Sequence, residues 1–509
     1  MTPRRFQSQQ VRRDAADLAQ ARTHGEPLSN GDEGRYRLGA DHSYIGNFTK
    51  GLNHNSVGHV VPSSYRKLVR ALETGSNADF EAIPLGGTRK FVNPQAGFAF
   101  DLQGPDTGSL SIPPAPALNS AEIASEMAEL YWMAIHRDLP FRDYSNANVG
   151  DAVNNLNSFS DFRGPKEGGA VTVDTLFRGI TSGDLAGPYI SQFLWLPVVF
   201  GTLRTPQRQL TALAGHDFLQ DFSEWLNVQN GAMPPDGPFD SFRRYIRSMR
   251  ELATYVHFDA LYEAYLNACL ILLDLRAPFD GGNPYRDSAT QDGFGTLGGP
   301  HVLSLVCEVA TRALKSVWRQ KWIVHRRLRP EAYGGLVHNQ LSGAFDYGDA
   351  LHPEILATGP GTVADAVHAF NLSTAHDTFL LPMAFPEGSP THPAYGAGHA
   401  TVAGACTTIL KAWFDEEWHI PSPVEANSDG LSLAPWGGAP LTVGGELNKL
   451  CANISIGRNA AGVHWRTDYT ASIKLGEQLA IGILEEQKLC YNERFSFSLT
   501  KFDGSTIQI

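Results

Sequence analysis

One stretch near the C-terminus combines a permanently charged group, an imidazole and a carboxylate at short spacing. Arg458 lies six residues before His464, and Asp468 lies four residues after it. If His464 is helical, Asp468 shares its face and accepts a hydrogen bond from the imidazole, which leaves the other ring nitrogen free as a nucleophile or metal ligand. Arg458 then suits an anion held at that nitrogen. Taken alone, the three residues also fit a surface arginine, a capping aspartate and a satisfied core histidine.

A loop rich in proline and glycine, residues 391–401, runs into an apolar segment with helical spacing at residues 402–413. A glycine loop that opens a helix presents free backbone N–H groups and the positive end of the helix dipole to a ligand. Gly398 allows the backbone to approach closely, and His399 places an acid/base group at the lip. This pattern predicts a cradle for an oxyanion.

A third group of residues precedes Pro330. Trp318, Lys321 and His325 fall at helical spacing, and Arg329 takes the extended conformation that a following proline favours. With the first two stretches, this segment completes a set of two arginines, one lysine, two histidines and an orienting aspartate. Such a set predicts a positively charged pocket for an anion.

The sequence resembles the three-part signature of the vanadium-dependent haloperoxidases and of their relatives, the type 2 acid phosphatases: Lys321 with Arg329-Pro330, Gly398-His399, and Arg458 with His464 and Asp468. Four further segments resemble the algal and cyanobacterial bromoperoxidase branch: residues 47–52, 92–97, 131–134 and 187–194. The resemblance covers roughly residues 30 to 489.

The resemblance implies vanadate, vanadium(V), as the cofactor, with His464 as the axial ligand of the metal. In the phosphatases the residue at this position is the phosphoryl nucleophile. Asp468 would orient His464, and His399 would be the acid/base. The negative charge of the equatorial oxygens would be neutralised by the side chains of Lys321, Arg329 and Arg458. The backbone N–H group of Gly398 would donate to the same oxygens. The implied cycle takes up hydrogen peroxide, which Lys321 polarises, and releases hypohalous acid to a small organic acceptor, while the metal keeps its oxidation state.

Three positions bear on the halide. Ala397 stands where most of the family has serine, so a hydroxyl that would bond to vanadate is missing, a loss of about 1 kcal/mol. His392 resembles the bromide-oxidising branch, although a loop histidine that caps a helix fits the pattern too. Trp318 would line the halide pocket or belong to the core. We expect that peroxide is only weakly activated, which favours the halide that is easiest to oxidise. Iodide should then be oxidised best and bromide next, and chloride should not be a substrate.

Composition narrows the classes of partner. The net charge of −12, from 41 Lys and Arg against 53 Asp and Glu, argues against nucleic acid. The longest apolar run, residues 193–200, contains Pro197 and is far shorter than the roughly 20 residues of a membrane helix. No signal peptide is visible, because a polar segment follows Arg4 and Arg5. These features predict a soluble, cytoplasmic protein without membrane contact, or an exported one if the chain has been trimmed.

Two weaker signals concern cross-links and a second metal. The five cysteines form neither a disulfide framework nor a CxxC site, and Cys490 near the tail is a candidate for pairing between subunits. Asp346 and Asp349, in a loop, are candidates for calcium, although two loop carboxylates are more often solvated.

The apolar pattern predicts an all-α protein in three parts. Residues 1–119 form a loop-rich N-terminal arm with one helix near residues 62–73, residues 120–489 form the helical vanadate-binding core, and residues 490–509 form a small β-hairpin. The resemblance refines the core to two four-helix bundles with the site between them. The long arm predicts a homo-oligomer. Helical stripes recur at residues 119–134, 210–228, 239–254, 258–275, 302–323, 362–369, 399–413, 445–456 and 469–487.

Three functions remain open on the sequence. A haloperoxidase explains Trp318, His392 and the long resemblance beyond the signature. A phosphomonoesterase would use the same pocket without vanadate, with His464 as nucleophile and His399 as the acid for the leaving group. A non-catalytic shell protein would not need the complete set of anion-site groups.

Overall fold

The computed structural model describes residues 3–22, 25–37 and 43–509, and these are predominantly helical. The helices are α1 Arg4–Ala21, α2 Asp32–Arg35, α3 Pro62–Thr74, α4 Asn77–Glu81, α5 Ala121–Ile135, α6 Asn146–Ser158, α7 Phe222–Gln229, α8 Met249–Phe258, α9 Glu263–Asp274, α10 Gly299–Arg319, α11 Pro330–Ser342, α12 Pro353–Leu356, α13 Val363–Ser373, α14 Gly398–Trp413, α15 Val443–Ala460 and α16 Arg466–Cys490.

Short strands form three antiparallel pairs: β1 Val198–Phe200 with β2 Leu203–Thr205, β3 Val424–Ala426 with β4 Leu433–Pro435, and β5 Ser498–Thr500 with β6 Thr506–Gln508. The third pair lies in the tail, where Ser498 faces Gln508 and Thr500 faces Thr506. Its turn needs Gly504, whose φ is +83°. The predicted C-terminal hairpin is therefore present.

The centre of the molecule is α14, which is buried along almost its whole length and packs against α10, α15 and α16. Two glycines permit its closest approach to α16. A Cβ on Gly404 would collide with the backbone of Ile473, and one on Gly476 would collide with the backbone of Thr401. This tight crossing matters for function because α14 begins at the glycine cradle and α16 begins two residues after His464.

The helix predictions succeed where an apolar stripe is strong and fail elsewhere. Three long helices were not predicted, α1, α6 and α11, nor were the short helices α2, α4 and α12. Of the long ones, the first is polar with no buried residue, the second is rich in asparagine, and the third begins at a proline and contains two glycines. The stripes at residues 210–228 and 239–254 were too long, since only α7 and α8 are helical there. The core helix α5 is capped by Ser120, whose Oγ accepts the Ile123 N–H at 3.3 Å.

The described part of the N-terminal arm packs on the core. Asn47 pairs with Arg327 in an isolated β-bridge, and the Phe48 N–H donates to the Arg326 carbonyl at 2.7 Å. The three-part division of the chain stays a prediction. Among the described residues no single helix is long and apolar enough to span a membrane; only α8 and α9, bent by 100° at their junction, meet that criterion together.

All five cysteines lie in the described part of the chain and are free. Cys269, Cys406 and Cys451 are buried, Cys307 is partly buried and Cys490 is exposed. The pairing of Cys490 between subunits stays a prediction.

Candidate functional site

Lys321 is positioned by a break in regular helical geometry. The α10 helix continues into a π-helical turn, Gln320–His325, in which the Arg326 N–H donates to the Lys321 carbonyl at 3.0 Å. Arg326 closes the turn in the left-handed region, with φ of 43°. The predicted helical spacing of Trp318, Lys321 and His325 therefore holds only approximately, because the wider turn rotates the residues that follow Arg319.

The Lys321 ammonium group is completely buried and bonds only to backbone in the described structure. Its Nζ donates to the carbonyl oxygens of Pro393 at 2.8 Å and Ala394 at 3.0 Å. Burial and the nearby charges of Arg329 and Arg458 hold the pKa of Lys321 well below its usual value. An anion beside it would relieve both effects.

His464 and Asp468 meet as predicted, but not on one helix face. His464 precedes α16, and Asp468 lies in the first turn and reaches back over the helix start. The Asp468 Oδ2 accepts from His464 Nδ1 at 2.7 Å and from the Trp465 N–H at 3.1 Å. Burial raises the pKa of Asp468, and Arg327 opposes that shift.

Arg329 contacts both the imidazole and the cradle. Its Nη1 donates to His464 Nε2 at 3.0 Å and to the Val463 carbonyl at 2.6 Å, and its Nε donates to the His392 carbonyl at 2.9 Å. Since a guanidinium only donates, Nε2 must be the acceptor and Nδ1 must carry the proton given to Asp468. Burial, followed by Arg458, lowers the pKa of Arg329 to about 9, so it remains charged at neutral pH.

Arg458, in the last turn of α15, has an unused donor. Its Nη1 donates to the Val256 carbonyl at 2.9 Å, whereas its buried Nε has no acceptor within the described residues. Burial lowers the pKa of Arg458, and Asp259 and Glu387 partly restore it. A buried donor without an acceptor costs about 1–3 kcal/mol, which a bound anion would remove.

The cradle loop, residues 391–398, closes the pocket at the N-terminus of α14. The Ala397 N–H donates to Ser472 Oγ on α16 at 2.8 Å, which anchors the loop to the helix that follows His464. A Cβ on Gly398 would lie 3.2 Å from the Trp318 ring, so glycine allows the indole to approach the cradle. The helix start at Gly398 agrees with the predicted backbone donor.

His399 lies on the first turn of α14 and faces a partner that sequence reasoning missed. Its Nε2 lies 3.0 Å from Asp259 Oδ1, and its side chain is 30% exposed whereas that of Asp259 is 7% exposed. Asp259 directly follows α8 and belongs to no motif. A single carboxylate at the end of a helix gives no signal in the sequence, and only the fold brings it to His399.

The two aromatic residues assigned to the halide lie together. The rings of Trp318 and His392 have centroids 4.9 Å apart, and the Lys321 Nζ lies 5.7 Å from the Trp318 ring. His392 Nδ1 accepts from Arg329 Nη2 at 2.9 Å. Burial and the neighbouring cations hold the pKa of His392 well below its usual value, so its ring is neutral. Trp318 is 8% exposed and also donates to the Val92 carbonyl at 3.2 Å.

Together these contacts define an all-helical class of protein with a buried, cation-rich oxyanion pocket at a helix N-terminus. The residues fit vanadate. His464 Nε2 is the unprotonated ring nitrogen, and its lone pair, which accepts from Arg329 in this structure, would pass to the metal. Three cationic groups act on the ring, and Arg458 Nε still needs an acceptor. Burial, then Arg329, keeps the pKa of His464 well below its usual value, as a neutral ligand requires.

Comparison with known proteins gives the family. A family model for the second helical-bundle domain of VCPO matches residues 368–493. The vanadium-dependent bromoperoxidase of Corallina officinalis is 42% identical, covering 98% of this chain and 97% of that protein. That of Ascophyllum nodosum is 36% identical, covering 91% and 86%. The homohexameric structure of the second vanadate-dependent bromoperoxidase from Ascophyllum nodosum has a TM-score of 0.93 at 31% identity, covering 100% of this chain and 90% of that one.

The chain therefore belongs to the vanadium-dependent bromoperoxidases, a family of haloperoxidase enzymes. This confirms the resemblance drawn from the three-part signature. The predicted calcium has no such support. The Asp346 carboxylate accepts the Gly348 N–H at 2.9 Å, and the described residues contain no group of three or more His, Cys, Asp or Glu side chains suited to a metal ion.

Proposed function

We propose that this protein is a vanadate-dependent haloperoxidase that uses hydrogen peroxide to oxidise bromide and iodide to hypohalous acid. The observation that carries the proposal is the arrangement at His464, whose Nε2 accepts from Arg329 at 3.0 Å while Lys321 and Arg458 stand close by with bonds only to backbone carbonyls. A neutral nitrogen ligand surrounded by an excess of positive charge suits a metal oxyanion better than it suits a bare metal cation.

Each residue has a separate task in this proposal. His464 Nε2 binds vanadium, Asp468 fixes the ring, and Lys321, Arg329 and Arg458 balance the charge of the oxygens. Bound vanadate would supply a Lewis-acidic centre that activates peroxide with no change of oxidation state. Burial lowers the pKa of Lys321, and a bound anion beside its ammonium group would raise that pKa again.

His399 is the proton carrier of the proposal. Its Nε2 faces Asp259, so Nδ1 is the ring nitrogen left to exchange protons with peroxide and water. Its side chain is 30% exposed, which gives the proton a route to solvent. The pairing with Asp259 fixes the direction of the ring.

Halide preference is the finer part of the proposal. The uncharged rings of His392 and Trp318 would form one wall of the halide site. A wall without charge suits a large halide that loses its water easily. Ala397 leaves that wall without the hydroxyl that most of the family carries. We therefore propose that iodide is oxidised fastest, bromide next, and chloride not at all.

The direct test starts from protein dialysed against a chelator, with orthovanadate added back. Peroxide-dependent oxidation of iodide, bromide and chloride is followed in parallel with hydrolysis of a chromogenic phosphate ester. Vanadate-dependent halide oxidation that inorganic phosphate suppresses is the expected result. Ester hydrolysis without vanadate, inhibited by vanadate and with no halide oxidised, would instead show a phosphatase.

Assembly and architecture complete the proposal. We propose a homo-oligomer, since the similar Ascophyllum nodosum structure is homohexameric and α1 has no buried residue. The arrangement of the core as two four-helix bundles with the site between them is supported by the packing of α10, α14, α15 and α16 around the pocket. Light scattering of the purified full chain measures the mass, and a monomer at micromolar concentration would contradict the assembly.

A further inference from the structure

His464 is the inner end of a buried chain of alternating charges that continues well past the anion pocket. Its Nδ1 lies 2.7 Å from Asp468 Oδ2, and Asp468 Oδ1 accepts from Arg327 Nη1 at 2.9 Å. Arg327 Nη2 in turn donates to Glu126 Oε2 on α5 at 2.8 Å. The side chains of Asp468, Arg327 and Glu126 are 0%, 2% and 5% exposed, so water screens none of these contacts.

The two oxygens of Asp468 have separate partners: Oδ2 accepts from His464 Nδ1 and Oδ1 accepts from Arg327 Nη1. A buried carboxylate with both oxygens engaged is held in one orientation, and so is the imidazole that donates to it. Arg327 is the cation that contacts Asp468 directly. Lys321, Arg329 and Arg458 point their donors at backbone carbonyls and at the pocket.

The direction of Arg327 is fixed on every side. Its guanidinium carbon lies 4.7 Å from the Trp465 ring and 5.9 Å from the Tyr395 ring. One amino group of the planar fork meets Asp468 and the other meets Glu126. A planar donor clamped between two rings and two carboxylates holds Asp468 in one orientation, which a flexible lysine would do less well.

We infer that Arg327 is a positioning residue for the cofactor: it holds the Asp468 carboxylate against His464 Nδ1, so that the imidazole ring keeps one orientation and Nε2 stays directed at the vanadate site. The inference rests on the proposed function, since it concerns the same ligand. It assigns to Arg327 no contact with vanadate, peroxide or halide.

A purely structural role for Arg327 would be to attach α5 to α16, and the chain offers a matched control for that role. Arg466, the first residue of α16, forms a buried ion pair with both oxygens of Glu129 on α5. It joins the same two helices, is 3% exposed, and does not bond to Asp468. Losing Arg466 breaks one buried ion pair, with Glu129, whereas losing Arg327 breaks two, with Glu126 and with Asp468. The Glu126 pair is matched by the Glu129 pair, and only Arg327 supports Asp468.

The experiment measures equilibrium binding of orthovanadate to the full chain freed of metal, by ultrafiltration and elemental analysis of vanadium, at one fixed pH. The variants are Arg327→Gln, Arg327→Lys, Glu126→Gln and Arg466→Gln, with thermal unfolding recorded for each. We expect Arg327→Gln to weaken vanadate binding by about 10- to 100-fold. Arg327→Lys should restore part of the affinity. Glu126→Gln and Arg466→Gln should stay within about threefold of the unaltered chain, because Asp468 keeps its cation in both.

Unchanged affinity in Arg327→Gln would overturn the inference, and so would an equal loss in Arg466→Gln. If Arg327→Gln does not fold, the double variant Arg327→Gln, Glu126→Gln removes both members of the outer pair and leaves fewer unpaired charges. The same loss of affinity is expected there, and normal affinity would again refute the role. Failure of the unaltered chain to bind vanadate would refute the proposed function itself, which is a different result.

Discussion

At the residue scale, the site contains three cationic side chains that form no ion pair with a carboxylate in the described structure. Lys321 and Arg458 bond to backbone carbonyls, and Arg329 bonds to carbonyls and imidazoles. The carboxylates nearby serve the histidines, Asp468 for His464 and Asp259 for His399. In the proposed function, binding and proton transfer are separated between these two histidine and aspartate pairs, which allows them to be tested separately.

The Asp259 pair leads to the first prediction. Asp259→Asn should lower the turnover number for bromide by about 10- to 100-fold, because an ionic hydrogen bond of about 1.5–3 kcal/mol to His399 is lost. Vanadate affinity should not fall, since Asp259 is a negative charge near Arg458 and its removal favours an anion. Steady-state kinetics at saturating vanadate measure the first effect and equilibrium binding measures the second.

The neighbouring pair of His257 and Glu387, 3.1 Å apart, provides the control. Glu387→Gln breaks a similar contact that does not involve His399. An equal loss of turnover in both variants would show that any ion pair near the mouth of the site has this effect, and would contradict the role of Asp259.

The missing hydroxyl leads to the second prediction. Ala397→Ser should raise kcat/KM for bromide relative to iodide by about fivefold, the equivalent of one neutral hydrogen bond of about 1 kcal/mol. Ala400→Ser, buried on the next part of α14, changes the same residue type outside the cradle loop and serves as control. A ratio that stays the same in Ala397→Ser would remove the explanation given for iodide preference.

At the scale of elements, the site lies where three helix boundaries meet. The π-helical turn after α10 delivers Lys321, the start of α14 delivers the cradle, and the start of α16 delivers Asp468. Helix ends carry free backbone groups and short side chains can reach back over them, which makes such positions suitable for anion sites. The close crossing of α14 and α16 keeps the cradle and the ligand histidine in register.

That crossing leads to the third prediction. Gly404→Ala should reduce the free energy of unfolding by about 1–3 kcal/mol and weaken vanadate binding, because the added methyl group collides with the Ile473 backbone and separates α14 from α16. Unfolding by urea and equilibrium vanadate binding measure the two effects. Gly150→Ala, on α6 with open space around it, should instead be neutral or gain about 0.5–1 kcal/mol. Normal vanadate affinity in a destabilised Gly404→Ala would show that the crossing does not set the site geometry.

At the scale of the whole molecule, stability must depend on pH, because several imidazoles are buried in neutral form. Burial lowers the pKa of His325 to about 3 and that of His54 to about 4. A histidine whose pKa is lower in the folded state takes up its proton on unfolding. Its contribution to stability is complete above about pH 6.5 and is lost as the pH falls from there towards the folded pKa.

His325, 5% exposed, leads to the fourth prediction. Between pH 6.5 and pH 4 the free energy of unfolding should fall by about 3 kcal/mol because of this one residue, at 1.36 kcal/mol per pH unit. The unfolded chain binds a proton at this histidine over that range, whereas the buried imidazole does not. His325→Phe keeps a ring against Tyr395, whose centroid lies 4.8 Å away, and should flatten the pH dependence by that amount. Urea unfolding at both pH values is the measurement. His419→Gln, which changes an exposed histidine, should leave the slope as it is; an equal flattening there would contradict the assignment.

The sequence by itself determined the family, the candidate residues of the anion site and much of the helical framework. Lys321, Arg329, Gly398, Arg458, His464 and Asp468 are readable because their chemistry depends on local spacing and on residue types with few other uses. Strong apolar stripes likewise predicted α5, α10, α14 and α16, since burial of one helix face requires apolar residues at helical spacing in the sequence.

Only the tertiary structure decided the rest, because long-range contacts leave no local pattern. Asp259 reaches His399 across 140 residues, and Arg327 joins Asp468 to Glu126 across separations of 141 and 201 residues. The π-helical turn at Lys321 and the helix start at Asp468 were likewise invisible, since both arise where packing overrides simple periodicity. The sequence thus names the groups proposed to contact the oxyanion, and the fold supplies the charged partners that hold those groups in place.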